Sequence, residues 1–227
     1  MTRSSRIVPG RVSKSGRKRV ALDPVLEEGS NMGKVVVQAY MSLDGFIADT
    51  NDQVGPLFDW YRNGDVKFTG SDPNMIFHVS RVSANYLGTA WSNVAVDVIG
   101  RRLFDLTNGW HGRPAVGEAV FVVTHEPPTD WPFPDAPFSF VTEGVQSAVA
   151  QAQAFAGGKD VSLSAGNLAG QAFRAGLIDE IRIDLVPVVF GSGVRYFGSY
   201  DESTLLLEDP DIVQGDRVTH LHYRVRK

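Results

Sequence analysis

The chain has 227 residues, 43% of them hydrophobic and 21% charged, which suits one globular domain with a sizeable core and a short extension. It contains no cysteine, so disulfides, thiolate catalysis and cysteine-based metal sites are excluded, and no run approaches the roughly 18 apolar residues of a membrane-spanning helix. Seven of its 22 Lys and Arg fall within residues 1–20, which hold no acid, so the remaining body is acidic and a poor nucleic-acid surface.

Residues 1–32 form a basic leader with no apolar periodicity and no hydrophobic signal-peptide segment. Their composition, rich in Arg and Ser, leaves three alternatives: a nucleic-acid arm, an organelle-type presequence, or a disordered upstream extension. We favour the extension because Met32, Gly33 and Lys34 immediately precede a strong strand pattern. We therefore expect one folded domain over residues 33–227, in the cytoplasm.

From residue 34 onward, strand-like and helix-like stretches alternate. β-branched and aromatic runs predict strands over 34–42, 46–48, 94–99, 119–124, 138–142, 161–164 and 178–190. Helices are predicted over 76–92, 100–105, 146–156 and 166–175. Residues 203–208 and 217–226 are predicted to form a hairpin around an Asp-Pro-Asp loop. This order predicts an α/β fold whose mixed, mainly parallel sheet is flanked by helices and ends in an antiparallel C-terminal hairpin.

The long segment 49–75 is rich in Gly, Asp, Asn and Pro, yet it carries four aromatic side chains: Phe58, Trp60, Tyr61 and Phe68. Two interpretations stay open. The aromatics could form a pocket wall that stacks on a flat heterocycle, or they could seal the core beneath a loop.

Three junctions at predicted strand ends have the composition of an anion site. VSLSAGN (161–167) passes from strand to helix through small residues, IGRRLFD (99–105) puts two arginines on a first helical turn, and VVTHEPP (121–127) ends a strand in a hydroxyl and an imidazole. Unpaired N–H groups at a helix start can hold a phosphate, and ligands of open α/β sheets collect at the carboxyl ends of strands. Tight helix–sheet packing is the alternative explanation of the small residues.

A Rossmann fingerprint is rejected. SAGNLAG does not match GxGxxG, and Asp184, which lies near the distance of a ribose-binding acid, falls in the middle of a predicted strand and not at its end.

The order of the motifs YMSLDGFIA, VIGRRLFD, FVVTHEPP and SLSAGNLAGQAFRAGLIDEIRIDLVPVVFGSGVRYF resembles the dihydrofolate-reductase-like superfamily. It is most similar to the C-terminal reductase domain of the riboflavin-biosynthesis deaminase–reductase, and the resemblance runs from about Gly33 to the C-terminus. The zinc-binding deaminase half has no counterpart in the chain.

The resemblance implies an NADPH-dependent reductase of a small heterocycle, similar to 5-amino-6-(5-phosphoribosylamino)uracil reductase or dihydrofolate reductase. By position it implies a set of cofactor-binding residues: Gly100, Arg101, Arg102, Leu103, Thr124, His125, Ser164, Ala165, Gly166, Asn167 and Leu168. Arg101 is the candidate for the 2′-phosphate, and residues 164–168 are the candidates for the pyrophosphate.

Two departures from the family pattern concern these positions. The family commonly has a Gly-Gly pair where this chain has Ser164 and Ala165, and usually a hydroxyl residue where Leu103 stands. The extra Cβ atoms could crowd the pyrophosphate, and Leu103 removes a hydrogen bond worth about 1 kcal/mol.

The substrate side is less well defined. Dihydrofolate reductases place a buried carboxylate on the helix after the first strand, and Asp59 lies near that point in sequence. Asp44, in the SLDG turn, is the other candidate, and capping that turn is its alternative role. Ser192 either faces the substrate or only occupies a turn.

The expected partners are a small-molecule substrate and a second copy of the chain, with neither nucleic acid nor membrane. His220 and His222 share one face of a predicted strand, but an ordinary strand is favoured over a metal site and no metal is expected. A non-catalytic nucleotide- or flavin-binding homodimer is the alternative function, with flavin then replacing NADPH. A chiefly structural dimer subunit is a third possibility.

Overall fold

The structure is a computed structural model that describes residues 33–200 and 204–226. The predicted leader over residues 1–32 lies outside the described residues. None of the helices in the described ranges is long and apolar enough to cross a membrane.

Strands and helices follow one another much as the sequence pattern predicts. The strands are β1 Val35–Ser42, β2 Phe46–Ala48, β3 Val66–Thr69, β4 Ile76–Val79, β5 Val94–Gly100, β6 Ala119–Val123, β7 Phe138–Val141, β8 Asp160–Ser164, β9 Glu180–Val186, β10 Val194–Arg195, β11 Asp211–Gln214 and β12 Thr219–Arg224. The helices are α1 Arg81–Ser92, α2 Arg101–Thr107, α3 Val145–Ala156 and α4 Asn167–Arg174. Short 3-10 helices span Gly55–Arg62 and Asn108–Gly112.

An eight-stranded sheet organises these elements, in the order β11-β12-β9-β1-β8-β5-β6-β7. The strands from β9 to β7 run parallel, whereas β12 is antiparallel to β9 and β11 is antiparallel to β12. The expected mixed sheet with an antiparallel C-terminal hairpin is confirmed. Two small antiparallel pairs, β3 with β4 and β2 with β10, lie outside it.

One face of the sheet carries the main apolar core. Alternate residues of β1, β5, β8 and β9 pack there with the apolar sides of α3 and α4. This alternation explains why Val35 and Val37 are buried together with Val161 and Leu163.

The other face is more polar and carries two smaller clusters. The 3-10 helix Gly55–Arg62 and α1 cover one of them, and α2 covers the other. Charged groups on this face are paired: buried Glu180 accepts hydrogen bonds from Lys34 Nζ at 2.5 Å and from Arg182 Nη2 at 3.2 Å, and lies 2.8 Å from His222 Nε2. Burial alone would raise the pKa of Glu180, but His222 and Lys34 outweigh that effect and bring the pKa to about 2.

The structure corrects three element boundaries. The predicted helix 76–92 is a strand, β4, followed by α1, which begins after its N-cap Ser80. The strand predicted over 178–190 ends at Val186. The final hairpin joins β11 to β12, so the Asp-Pro-Asp motif leads into β11, of which Asp211 is the first residue, instead of forming the hairpin loop. Leu207 makes only an isolated bridge to Val225.

Candidate cofactor-binding edge

The three polar junctions lie side by side at one edge of the sheet. β8, β5 and β6 are adjacent parallel strands, and their registers pair Val98 with Leu163 and Gly100 with Val123. The carboxyl ends of these strands therefore bring Ser164, Gly100 and Thr124 to the same edge. We call this the cofactor edge.

Gly166 makes the first of these junctions possible. It caps α4 with φ 91° and ψ −151°, a combination that is almost restricted to glycine. Its N–H donates to the Tyr196 carbonyl at 2.8 Å, and its carbonyl accepts from Gly170 N–H at 3.1 Å. No side chain among the described residues caps α4, so the N–H groups of its first turn have no side-chain acceptor there and are potential donors to a ligand.

The residues around Gly166 differ in their exposure. Ser164 and Ala165 are half-buried, Asn167 is exposed, and Leu168 is buried in the main core. A Cβ atom on Gly166 would lie 3.7 Å from Ile47 Cδ1 and 3.9 Å from Val194 Cγ1. The pair of strands β2 and β10 thus forms an apolar wall beside the small-residue junction.

Arg101, on the first turn of α2, is held by several protein groups. Its Nε donates to Asp105 Oδ1 at 2.8 Å, and its Nη1 donates to the Glu126 carbonyl at 2.5 Å and to Thr124 Oγ1 at 3.5 Å. Thr124 itself is buried and donates to the same Glu126 carbonyl at 2.8 Å. These bonds fix the guanidinium beside the end of β6.

Arg102 points to a different element. Its Nη2 donates to Asp52 Oδ2 at 2.6 Å, and this hydrogen bond raises the pKa of the guanidinium above its ordinary value. Its neighbour Leu103 packs against the small cluster that contains Phe104, so the departure from a hydroxyl residue has a packing reason. His125 is exposed and follows Thr124 on the loop.

A cavity of about 410 Å³ opens beside Arg101. Its lining includes Asp105, Glu126, Asp130 and Trp131. The Trp131 ring meets Phe104 edge-on, with the ring centroids 5.2 Å apart. The cavity therefore combines an aromatic wall with one cation and several carboxylates.

Asp44 is tied into the backbone around it. Its carboxylate accepts hydrogen bonds from Ser42 Oγ at 2.6 Å, from Phe190 N–H at 3.1 Å and from Gly191 N–H at 2.6 Å. The Ser42 hydroxyl, followed by these backbone donors, holds the pKa of Asp44 below its usual range. These contacts favour the turn-capping role, joining the β1–β2 turn to the segment that follows β9.

Asp59 is exposed on the 3-10 helix Gly55–Arg62, so it does not supply the buried carboxylate that the resemblance led us to seek. The helix that leads into β5 is α1, and its twelve residues, RVSANYLGTAWS, contain no acid. Position along the chain was misleading because the β3–β4 hairpin intervenes between the 3-10 helix and α1.

The aromatic segment mostly seals the core. Trp60 and Tyr61 are buried, their rings are stacked at 4.0 Å, and Tyr61 also stacks on Phe77 at 4.4 Å. Phe58 and Phe68 are only partly buried. The packing interpretation therefore accounts for Trp60 and Tyr61.

Sequence reasoning missed a buried array of hydrogen-bonding groups. His220 Nδ1 lies 2.6 Å from Asp184 Oδ1, its Nε2 lies 3.0 Å from Ser83 Oγ, and all three side chains are almost fully buried. The order resembles a nucleophile, base and acid. However, Ser83 is 1% exposed, and Tyr86 stacks on the imidazole at 4.2 Å while Trp60 approaches it edge-on, so neither side chain is open to a substrate. We interpret the array as a polar tie between α1 and strands β9 and β12. Two signals were available beforehand, the mid-strand position of Asp184 and the strand position of His220, but neither linked these residues to each other or to Ser83.

Among the described residues, no group of His, Asp and Glu is arranged to hold a metal ion.

Comparisons with known proteins agree with this architecture. Residues 137–221 match the family model of the RibD C-terminal domain. A protein of Shewanella sp. PV-4 assigned to riboflavin biosynthesis is 21% identical with a TM-score of 0.62, covering 86% of this chain and 99% of that chain. No curated protein sequence matches significantly.

Two further structures carry enzyme names. The diaminohydroxyphosphoribosylaminopyrimidine deaminase/5-amino-6-(5-phosphoribosylamino)uracil reductase of Thermotoga maritima is 11% identical with a TM-score of 0.59, covering 86% of this chain and 57% of that chain. Dihydrofolate reductase from Enterococcus faecalis, complexed with NADP(H), is 15% identical with a TM-score of 0.53, covering 86% and 98%. The chain thus spans little more than half of the bifunctional protein.

Proposed function

With a RibD C-terminal match over residues 137–221 and the dihydrofolate-reductase-like fold around it, we propose that the protein is an NADPH-dependent reductase of a small heterocyclic substrate. One observation carries the proposal: two arginines, a buried hydroxyl and an uncapped glycine-led helix start share one edge of the sheet. Bidentate arginine contacts and free helix N–H groups are what a dinucleotide's phosphates require.

Different residues of the cofactor edge would bind different parts of this cofactor. The N–H groups at the start of α4 would hold the pyrophosphate, since Gly166 carries no Cβ in the gap beside Ile47 and Val194. Arg101 would meet the 2′-phosphate at the mouth of the cavity, and Trp131 would face the adenine. Leu103 contributes packing instead of a phosphate contact.

NADPH, when bound, supplies a hydride, so the chain needs to contribute mainly position and shielding. Ile47 and Val194 would exclude water next to Gly166, and the hydrogen bonds of Asp44 would keep the β1–β2 turn against the chain after β9. We propose no catalytic carboxylate at Asp44, since a group with a lowered pKa is a poor proton donor near neutral pH.

A non-catalytic nucleotide- or flavin-binding protein is the second candidate. It is favoured by one observation: α1, Arg81–Ser92, contains no acid, so the buried carboxylate that the resemblance led us to seek is missing from that helix. Purified protein with flavin absorbance and no dinucleotide affinity would support this candidate.

We also propose a cytoplasmic homodimer. β11 is an edge strand of the sheet, and an edge strand can pair with a second copy of the chain; Ile212 on β11 is 62% exposed. Light scattering at micromolar concentration tests the assembly, and a monomeric mass contradicts it.

The decisive experiment has two stages. NADPH and NADH are first titrated against the purified protein, and NADPH oxidation is then followed by absorbance with pyrimidine and pterin substrates, with simple keto acids as the comparison. Arg101→Ala serves as the site variant and Lys159→Ala, at the opposite edge of the sheet, as its matched control. Turnover of keto acids and of no heterocycle would overturn the proposed substrate class.

A further inference from the structure

Both arginines of the cofactor edge already bind a carboxylate of their own chain. Arg101 Nε donates to Asp105, four residues later on the same helix, and Arg102 Nη2 donates to Asp52, fifty residues earlier in the sequence. A carboxylate accepts hydrogen bonds from the same guanidinium N–H groups that would bind a phosphate. Each contact is therefore a potential competitor for a phosphate ligand.

The loop before the 3-10 helix is built to present Asp52. Asp49 Oδ1 accepts from Asn51 N–H at 2.7 Å and from Gln53 N–H at 2.9 Å, while Asp52 N–H donates to the Asp49 carbonyl at 3.2 Å. Asp52 has a left-handed backbone with φ 62°. Its side chain is only 17% exposed, whereas that of Arg102 is 69% exposed, so the carboxylate is the fixed partner and the arginine the movable one.

Asp105 restricts which guanidinium nitrogens of Arg101 are available to a phosphate. With Nε on Asp105 and Nη1 on Glu126 and Thr124, Nη2 is the guanidinium nitrogen for which the described residues provide no hydrogen bond. A bidentate phosphate contact needs two neighbouring nitrogens. Glu126 and Asp130 line the same cavity, so further carboxylates lie where a 2′-phosphate would approach.

We propose that Asp52 and Asp105 are specificity-determining residues of the cofactor edge. Asp105 reduces the preference for NADPH over NADH, and Asp52 weakens the binding of both cofactors equally. The inference rests on the proposed function, in which Arg101 meets the 2′-phosphate, and it adds that Arg102 contacts the pyrophosphate, which both cofactors share. It follows that the wild-type protein discriminates less between NADPH and NADH, and binds both more weakly, than it would if neither arginine were paired with a carboxylate.

The test is a set of titrations with NADPH, NADH and inorganic pyrophosphate at low salt, because exposed ion pairs are screened at high salt. The variants are Asp105→Asn, Asp52→Asn and the control Glu118→Gln. Glu118 also bears an exposed carboxylate in an ion pair, with Lys159, but lies before β6 at the opposite edge of the sheet. Thermal unfolding verifies that each variant is folded.

Exposed pairs of this kind change an equilibrium about two- to fivefold. Asp105→Asn should raise the ratio of NADPH to NADH affinity by about that factor, and Asp52→Asn should tighten both cofactors and pyrophosphate equally. Glu118→Gln should change none of them. An unchanged ratio of NADPH to NADH affinity in Asp105→Asn would overturn the proposal. Weaker binding of the cofactors in Asp52→Asn would also overturn it, because Asp52 would then serve only to support the loop.

Pyrophosphate separates this inference from the proposed function, because its contact with Arg102 requires no dinucleotide site. If wild-type protein binds neither NADPH nor NADH, the reductase assignment fails. In that case a pyrophosphate gain in Asp52→Asn still supports the competition at Arg102, and the lack of a gain refutes it.

Discussion

Substitution of Gly166 by alanine separates the two explanations of the small-residue junction, and the chain supplies its own control. Gly166 and Gly144 both cap a helix, with φ and ψ of 91° and −151° in the first and 89° and −177° in the second, and neither helix has a side-chain cap within the described residues. Alanine in this conformation costs about 1–3 kcal/mol in backbone strain. Both variants should therefore lose a similar free energy of unfolding, seen as a fall in Tm of roughly 2–12 °C for a domain of this size.

Gly144 follows β7, the outermost of the parallel strands, and is not among the residues proposed to hold the pyrophosphate, whereas Gly166 begins the helix that is. The new methyl group of Gly166→Ala would lie 3.7 Å from Ile47 Cδ1 and 3.9 Å from Val194 Cγ1, so it would fill the gap without a clash. The methyl of Gly144→Ala would meet no atom within 4 Å. We expect Gly166→Ala to weaken NADPH binding at least about tenfold, or about 1.4 kcal/mol, and Gly144→Ala to leave it unchanged. Equal stability losses with unchanged NADPH binding in both variants would show that the junction serves helix–sheet packing alone.

Two further predictions concern named contacts. Arg101→Ala should weaken NADPH roughly fivefold and NADH less, since one partly exposed charge-assisted contact is lost, and equal losses for the two cofactors would contradict its 2′-phosphate role. His220→Ala should lower the free energy of unfolding by about 3–5 kcal/mol in urea, because it leaves buried Asp184 unpaired, and a loss below about 1 kcal/mol would show that the array is dispensable.

The sheet was predictable because its signals are local. Runs of β-branched residues mark the parallel strands, and the small residues before α4 mark the junction at Gly166. Parallel strands then place the three junctions at one edge without any further information. The β3–β4 hairpin was missed because Val66–Thr69 and Ile76–Val79 are short and lie in a polar segment.

Side-chain contacts between residues far apart in the sequence had no local sequence signal. Ser83 and His220 lie 137 residues apart, and Asp52 and Arg102 lie 50 apart, so only the folded topology brings them together. Their position on a helix start allowed the arginines to be proposed for a phosphate site, but no sequence signal indicated that each would be paired with a carboxylate. Asp59, one of the two candidate acids, is exposed and not buried, because its place in the chain does not give its place in the fold.

Asp97 should make the stability of the protein depend on pH in the direction opposite to that of an ordinary paired aspartate. It lies in the middle of β5 and is 8% exposed, and burial raises its pKa to about 7 against the opposing hydrogen bond of Ser162. Since the folded pKa exceeds the unfolded value of about 3.9, its contribution is fully present below about pH 4 and is lost as the pH rises through 7. Asp97→Asn, which keeps the shape of the side chain and cannot ionise, should match wild type near pH 4 and exceed its free energy of unfolding by about 2–4 kcal/mol at pH 8. Urea unfolding across this range is the measurement, with exposed Asp59→Asn as the control. A gain that does not change with pH would mean that Asp97 does not bind its proton more tightly in the folded protein.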